Sequence, residues 1–131
     1  MAWKSILAAA ALVAAVGSAD SAFAGADDYV FEPVNAEIKS SNVAVVAVRL
    51  VHKPSGKSVA DAAIVQTRID MAPDGMASMA AAIVPQPTPQ PGIYAFKAPL
   101  TMAGRWLLTV SAKVQGEPDT VIGKVVFKVA R

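Results

Sequence analysis

Two stretches decide how this chain folds: RWLLTVSAKV, Arg105–Val114, and TVIGKVVFKV, Thr120–Val129. In the first, Trp106, Leu108, Val110, Ala112 and Val114 take every second position. Thr109, Ser111 and Lys113 fall between them, and Leu107 is the one apolar exception. In the second, Val121, Gly123, Val125, Phe127 and Val129 alternate against Lys124 and Lys128. Successive side chains of a β-strand point to opposite faces, so a period of two predicts strands with one face buried and the other wet.

Working outward, the same reading extends over most of the chain. Asn42 to His52 is rich in Val and predicts a strand, closed by the turn-forming Lys53-Pro54-Ser55-Gly56-Lys57. Ala62 to Met71, Ala77 to Val84 and Gly92 to Ala98 predict three more, the second weakened by its alanines. Ala26 to Asn35, with Tyr29, Phe31 and Pro33, predicts an edge strand. Pro85-Gln86-Pro87-Thr88-Pro89-Gln90-Pro91 cannot donate ladder hydrogen bonds at its prolines and predicts an extended polyproline connector. After the N-terminal segment no stretch has a sustained helical period. The alanines around Met79 are soon closed off by Pro85 and Pro87. About seven short strands with turn signals roughly every ten residues predict an all-β, immunoglobulin-like β-sandwich. The Cys…Trp…Cys hallmark of antibody domains is missing, and Trp106 is the candidate central core residue.

The first two dozen residues have a different pattern. Lys4 supplies the positive n-region, Ile6 to Val16 an unbroken apolar run, and Ala22-Phe23-Ala24 the small residues of a cleavage site. This order predicts a secretory signal peptide over residues 1–24, cut after Ala24, and a single domain over residues 25–131. The apolar run is about half of the ~20 residues that span a bilayer, so no stable membrane anchor is expected after cleavage. The expected location is periplasmic or secreted.

Composition narrows the chemistry. No cysteine is present, which removes thiol redox chemistry, zinc–thiolate sites and cysteine hydrolysis. The single histidine, His52, precedes the Pro54-Ser55-Gly56 turn with no catalytic motif around it, and a multi-histidine metal site cannot be built. A non-enzyme without an organic cofactor is expected. Residues 25–131 carry 11 basic and 9 acidic side chains, scattered without a basic block, so no nucleic-acid partner is expected.

The distinctive feature is the placement of the methionines. Met71, Met76 and Met79 fall within nine residues, around the turn formers Pro73, Asp74 and Gly75, and Met102 follows Pro99-Leu100-Thr101. An exposed turn normally carries polar side chains. Thioether sulfur is a neutral, polarizable donor that suits Cu(I) and, by the same logic, Ag(I), and it binds without deprotonation. Met71, Met76, Met79 and Met102 are therefore candidate metal ligands, with His52 a further candidate. The competing reading makes Met71 a core filler, Met102 a plug at the end of the sandwich and His52 a surface residue at a strand end. In a metal-free version, the methionines form an adaptable apolar docking surface.

Asp70-Met71-x-Pro73-x-Gly75-Met76, then Pro91-Gly92-x-Tyr94, then Met102-Ala103-Gly104-Arg105-Trp106, and finally Lys113-Val114-Gln115-Gly116-Glu117, together resemble the YtkA-like/FixH-like domain family. Members of that family are small exported or membrane-tethered β-sandwich domains. Many accompany heavy-metal efflux systems, and others the assembly of copper-containing oxidases. The resemblance implies a periplasmic copper-handling role beside an efflux or copper-handling partner, with Met71, Met76, Met79 and Met102 as the matching candidate ligands.

Overall fold

The structure is a computed structural model and describes residues 26–131; the expected signal peptide lies outside the described residues. A 3-10 turn at Ala26–Asp28 leads into ten strands. They are β1 (Tyr29–Pro33), β2 (Glu37–Lys39), β3 (Ser41–His52), β4 (Lys57–Ser58), β5 (Ala63–Met71), β6 (Met76–Ala81), β7 (Val84–Gln86), β8 (Ile93–Leu100), β9 (Gly104–Lys113) and β10 (Val121–Ala130). Seven of them have five or more residues and occupy the regions read as strands from the sequence. β2, β4 and β7 are the short additions, of two or three residues.

The strands form two sheets. One has the order β1-β3-β8-β7, with β4 added beside β3; the other has the order β2-β10-β9-β5-β6. β1 pairs antiparallel with β3 while β2 pairs parallel with β10, so the chain changes sheets at residues 34–36. Two backbone bonds hold this crossing, Val34 N to Ala47 O at 2.9 Å and Lys128 N to Ala36 O at 2.8 Å. This order is that of an immunoglobulin-like sandwich whose first strand is shared between the sheets.

The alternation predicted for the two opening stretches is the burial seen. Trp106, Leu108, Val110, Ala112, Val121, Val125, Phe127 and Val129 face inward, and Lys113, Lys124 and Lys128 face water. The facing sheet contributes Val46, Val48, Leu50, Phe96 and Leu100. β5 breaks the simple pattern. Ile64 is opposite Ala112 and Gln66 is opposite Ser111, so Val65 is an extra residue in the ladder. The register shift leaves Ile64 against the core and Val65 exposed. The proline-rich segment is not purely a connector. Pro85 lies opposite Phe96 within β7. β7 is an edge strand with one neighbour, and only there can a proline sit in a ladder without losing a needed donor.

β1 and β10 meet closely at Phe31 and Gly123. The Phe31 ring lies in the space that a Cβ on Gly123 would occupy. Gly123 does not have a positive φ, so only space demands a glycine there. Gly123→Ala is expected to destabilise the sandwich by about 1–3 kcal/mol, the usual cost of overpacking. In a Phe31→Ala background the same substitution should cost much less. Chemical denaturation of the four proteins of this cycle measures the difference.

Candidate functional site

The methionines are set by the connection between β5 and β6. β5 ends at Met71, Ala72–Asp74 forms a 3-10 turn with Pro73 in its first positions, and Gly75 at φ 77° reverses the chain into β6. Asp70 organises the entry: one carboxylate oxygen accepts from the Ala72 N–H at 2.9 Å and the other from Arg68 Nε at 2.8 Å. Arg68 also reaches across with Nη2 to the Ala77 carbonyl at 3.0 Å, holding β6 against β5.

A second clasp joins this turn to the start of β9. Asp74 Oδ2 accepts from the Arg105 backbone N–H and Oδ1 from Arg105 Nε, both at 2.8 Å. Arg105 Nη2 donates to the Pro73 carbonyl at 2.7 Å. The bond from the Arg105 backbone, ahead of that from its side chain, holds the Asp74 carboxyl below its ordinary range. Gly104 makes the approach possible. Its φ is 145°, and a Cβ there would lie 2.5 Å from Met71 Cε and 2.6 Å from Asp74 Oδ2. Beside it, Trp106 Nε1–H donates to the Met102 carbonyl at 3.0 Å and pins the β8–β9 loop down. The 72–75 turn and the loop carrying Met102 thus lie at the same end of the sandwich.

The four methionines divide sharply. Met71 is fully buried, 0% exposed, inside the hydrophobic core with its methyl beside Gly104. It is a packing residue, because the bulge at Val65 leaves Ile69 and Met71 facing inward. Met76, Met79 and Met102 are 38%, 39% and 42% exposed. Met76 opens β6 opposite Met71, and Met79 sits where the β5–β6 ladder is interrupted, before the Asp70–Ala80 pair.

His52 does not join them. It closes β3 at the opposite end from Ser41, which pairs with Leu100, whereas His52 pairs with Tyr29 and Lys57. Its Nδ1 is 2.7 Å from Ser55 Oγ, and its ring lies 5.1 Å from that of Tyr29. Ser55 Oγ also accepts from the Lys57 N–H at 3.3 Å, so the His52–Ser55 contact belongs to the turn between β3 and β4. His52 is therefore removed from the candidate set for a shared ion, because a strand of twelve residues separates it from the methionine end. Among the described residues no group of three or more His, Cys, Asp or Glu side chains is placed to hold a metal ion. The candidates that remain at the end of the sandwich joined by the clasp are Met76, Met79 and Met102. The turn formers Asp74-Gly75 and the stretch Gly104-Arg105-Trp106 contained the residues of the clasp between the 72–75 turn and β9, but the pairing of Asp74 with Arg105 spans 31 residues and is made only by the fold.

Residues 23–111 match the YtkA-like family. The chain belongs to that family. The match takes in the 72–75 turn, the β8–β9 loop and the clasp between them, and it ends before β10. No curated protein matches the chain. Among solved structures, the crystal structure of the Lin-41 filamin domain is similar at 19% identity and a TM-score of 0.43, over 79% of this chain and 93% of that one.

The division between the methionines has a direct consequence for stability. Met71→Ala is expected to cost about 2–5 kcal/mol by leaving a cavity in the core. Met76→Ala, Met79→Ala and Met102→Ala should each cost under about 1 kcal/mol. Thermal or chemical unfolding of the four variants checks this ordering.

The clasp should also give acid sensitivity with a defined sign. The unfolded Asp74 carboxyl titrates near ~3.9 and the folded one lower, so the unfolded chain takes up the proton first. The contribution is present in full above about pH 5 and is lost as the pH falls through the lowered folded value. Asp74→Asn should be less stable than the parent near neutrality, and the two unfolding midpoints should draw together below about pH 3.

Proposed function

We propose that this YtkA-like domain is a non-catalytic metal-binding accessory protein of the periplasm that holds a soft monovalent cation, Cu(I) or Ag(I), on the thioethers of Met76, Met79 and Met102. The carrying observation is that three exposed thioethers sit at one end of the sandwich, on the strand leaving the 72–75 turn and on the β8–β9 loop, beside the Asp74–Arg105 clasp that joins them. Exposed apolar side chains there gain little from burial, whereas three polarizable sulfurs form a donor set that favours soft cations over hard ones. No ligand needs to lose a proton, so binding should vary little with pH between about 5 and 8. A partner in heavy-metal efflux or copper homeostasis would receive or deliver the ion.

A second reading is favoured by a specific observation. β6 is an edge strand of six residues, Met76-Ala77-Ser78-Met79-Ala80-Ala81, with no charge and no proline. The other sheet edges carry such protection: Glu37 and Lys39 on β2, Glu32 and Pro33 on β1, and Pro85 on β7. An unguarded edge lined by flexible thioethers suits a metal-free docking module in which a partner adds a strand.

The two readings separate on one experiment. Competition for Cu(I) against a chromogenic chelator under reducing conditions should show one ion bound more tightly than about micromolar. The Met76→Leu/Met79→Leu/Met102→Leu protein keeps the apolar area and loses the sulfur, and should bind at least about 10-fold more weakly. Affinity weaker than micromolar in the parent, or unchanged affinity in the triple variant, overturns the metal reading. Retention of a periplasmic partner by the triple variant without added copper supports the docking module.

A further inference from the structure

We infer that Met76, Met79 and Met102 form a reversible oxidation site, and that oxidation there switches off the soft-metal binding proposed above without unfolding the domain. The second half rests on that metal reading; the first half does not. The inference comes from the contrast in exposure among four chemically identical side chains. Three are about two-fifths exposed at one end of the sandwich, and the fourth, Met71, is fully enclosed.

The chemistry needs a two-electron oxidant of the peroxide or hypohalous acid class. With hydrogen peroxide, a sulfur lone pair attacks one oxygen and the O–O bond breaks. The thioether becomes a sulfoxide, and the second oxygen leaves as water after taking up a proton. Sulfur is oxidised by two electrons and peroxide is reduced by two. No cysteine is present to react first, so the thioethers are the most readily oxidised sulfur in the chain.

Where the new oxygen is placed decides its effect on the fold. At Met76, Met79 and Met102 the S=O dipole reaches water and costs little stability. Met79 lies in an interrupted stretch of the β5–β6 ladder, and Met102 lies in a loop whose anchor, Trp106 Nε1–H to the Met102 carbonyl, uses the backbone rather than the sulfur. At Met71 the same oxygen would be forced into the apolar core where the methyl meets Gly104. The buried residue is thus the one whose oxidation would unfold the domain, and it is the one shielded from the oxidant. For a soft cation, each sulfoxide replaces a polarizable sulfur donor with a hard oxygen, and three such changes remove the site.

The test treats the purified protein with hydrogen peroxide and follows each methionine by peptide mass mapping. Ag(I) titration is carried out before and after, and again after methionine sulfoxide reductase treatment. Met76, Met79 and Met102 should each gain one oxygen, about 16 Da, at least about 10-fold faster than Met71. The strand-type far-UV spectrum should persist, Ag(I) binding should fall at least about 10-fold, and reduction should restore it. Oxidation of Met71 at the rate of the others, or loss of the folded spectrum as the three sulfoxides form, overturns the oxidation site. Selective oxidation with undiminished Ag(I) binding overturns the switch. Selective oxidation in a protein that never bound Ag(I) leaves the oxidation site standing, and overturns both the switch and the metal reading on which it rests.

Discussion

The end of the sandwich that carries the methionines depends on one close approach, the start of β9 lying against the β5–β6 turn at Gly104. A side chain at that position would occupy the space of the Met71 methyl and of the Asp74 carboxylate at once. With hydrogen alone there, Met71 seals the core, and Asp74 reaches both the backbone N–H and the guanidinium of Arg105. The turn from one strand pair is thereby joined to the loop that passes between the sheets. Trp106 completes the junction from below, its ring in the core and its N–H on the Met102 carbonyl. This corner uses an indole to hold the loop between β8 and β9, where antibody-type domains use a tyrosine hydroxyl at a corner of their own.

Several residues of the stretches 70–76 and 102–106 serve that junction. Asp70 organises the entry to the turn, Pro73 and Gly75 shape it, and Gly104, Arg105 and Trp106 receive it. Tyr94 does comparable work at the opposite end. Its hydroxyl donates to the Val59 carbonyl at 2.7 Å and accepts from the Ala62 N–H at 3.1 Å, fastening the segment that leads into β5. Burial, the largest influence on it, holds the Tyr94 hydroxyl above its ordinary range. These residues close the sandwich at its two ends. The side chains of Met76, Met79 and Met102 are not enclosed by that closure and remain partly exposed, although the Met102 carbonyl takes part in it.

The two ends of the molecule carry different chemistry. At the methionine end Asp74 and Arg105 pair with each other in the clasp, and Met76, Met79 and Met102 are left partly exposed beside it. At the other end His52, Tyr29, Ser55 and Glu117 lie close together: Tyr29 donates its hydroxyl to Glu117 at 3.3 Å and stacks at a tilt on His52. Histidine and thioethers are therefore kept apart by the full length of β3. A mixed imidazole–thioether site is excluded by topology, whatever the composition of the chain suggests.

Strand identity was legible in the sequence because alternation is a local property. Arg105–Val114 and Thr120–Val129 need no distant partner to show which face is apolar, and their burial follows that face. The crowding of methionines around Pro73-Asp74-Gly75 was legible for the same reason. Three matters were decided only by the tertiary structure. The orientation of Met71 depends on the extra residue Val65 in the β5–β9 ladder, and a bulge exists only relative to a partner strand. The place of Pro85 in a ladder depends on β7 lying at a sheet edge. The grouping of Met102 with the 72–75 turn, and the exile of His52, depend on which loops a two-sheet topology brings to the same end. The Asp74–Arg105 pair shows why: 31 residues separate its partners, and nothing in the local pattern of either measures the distance that the fold closes.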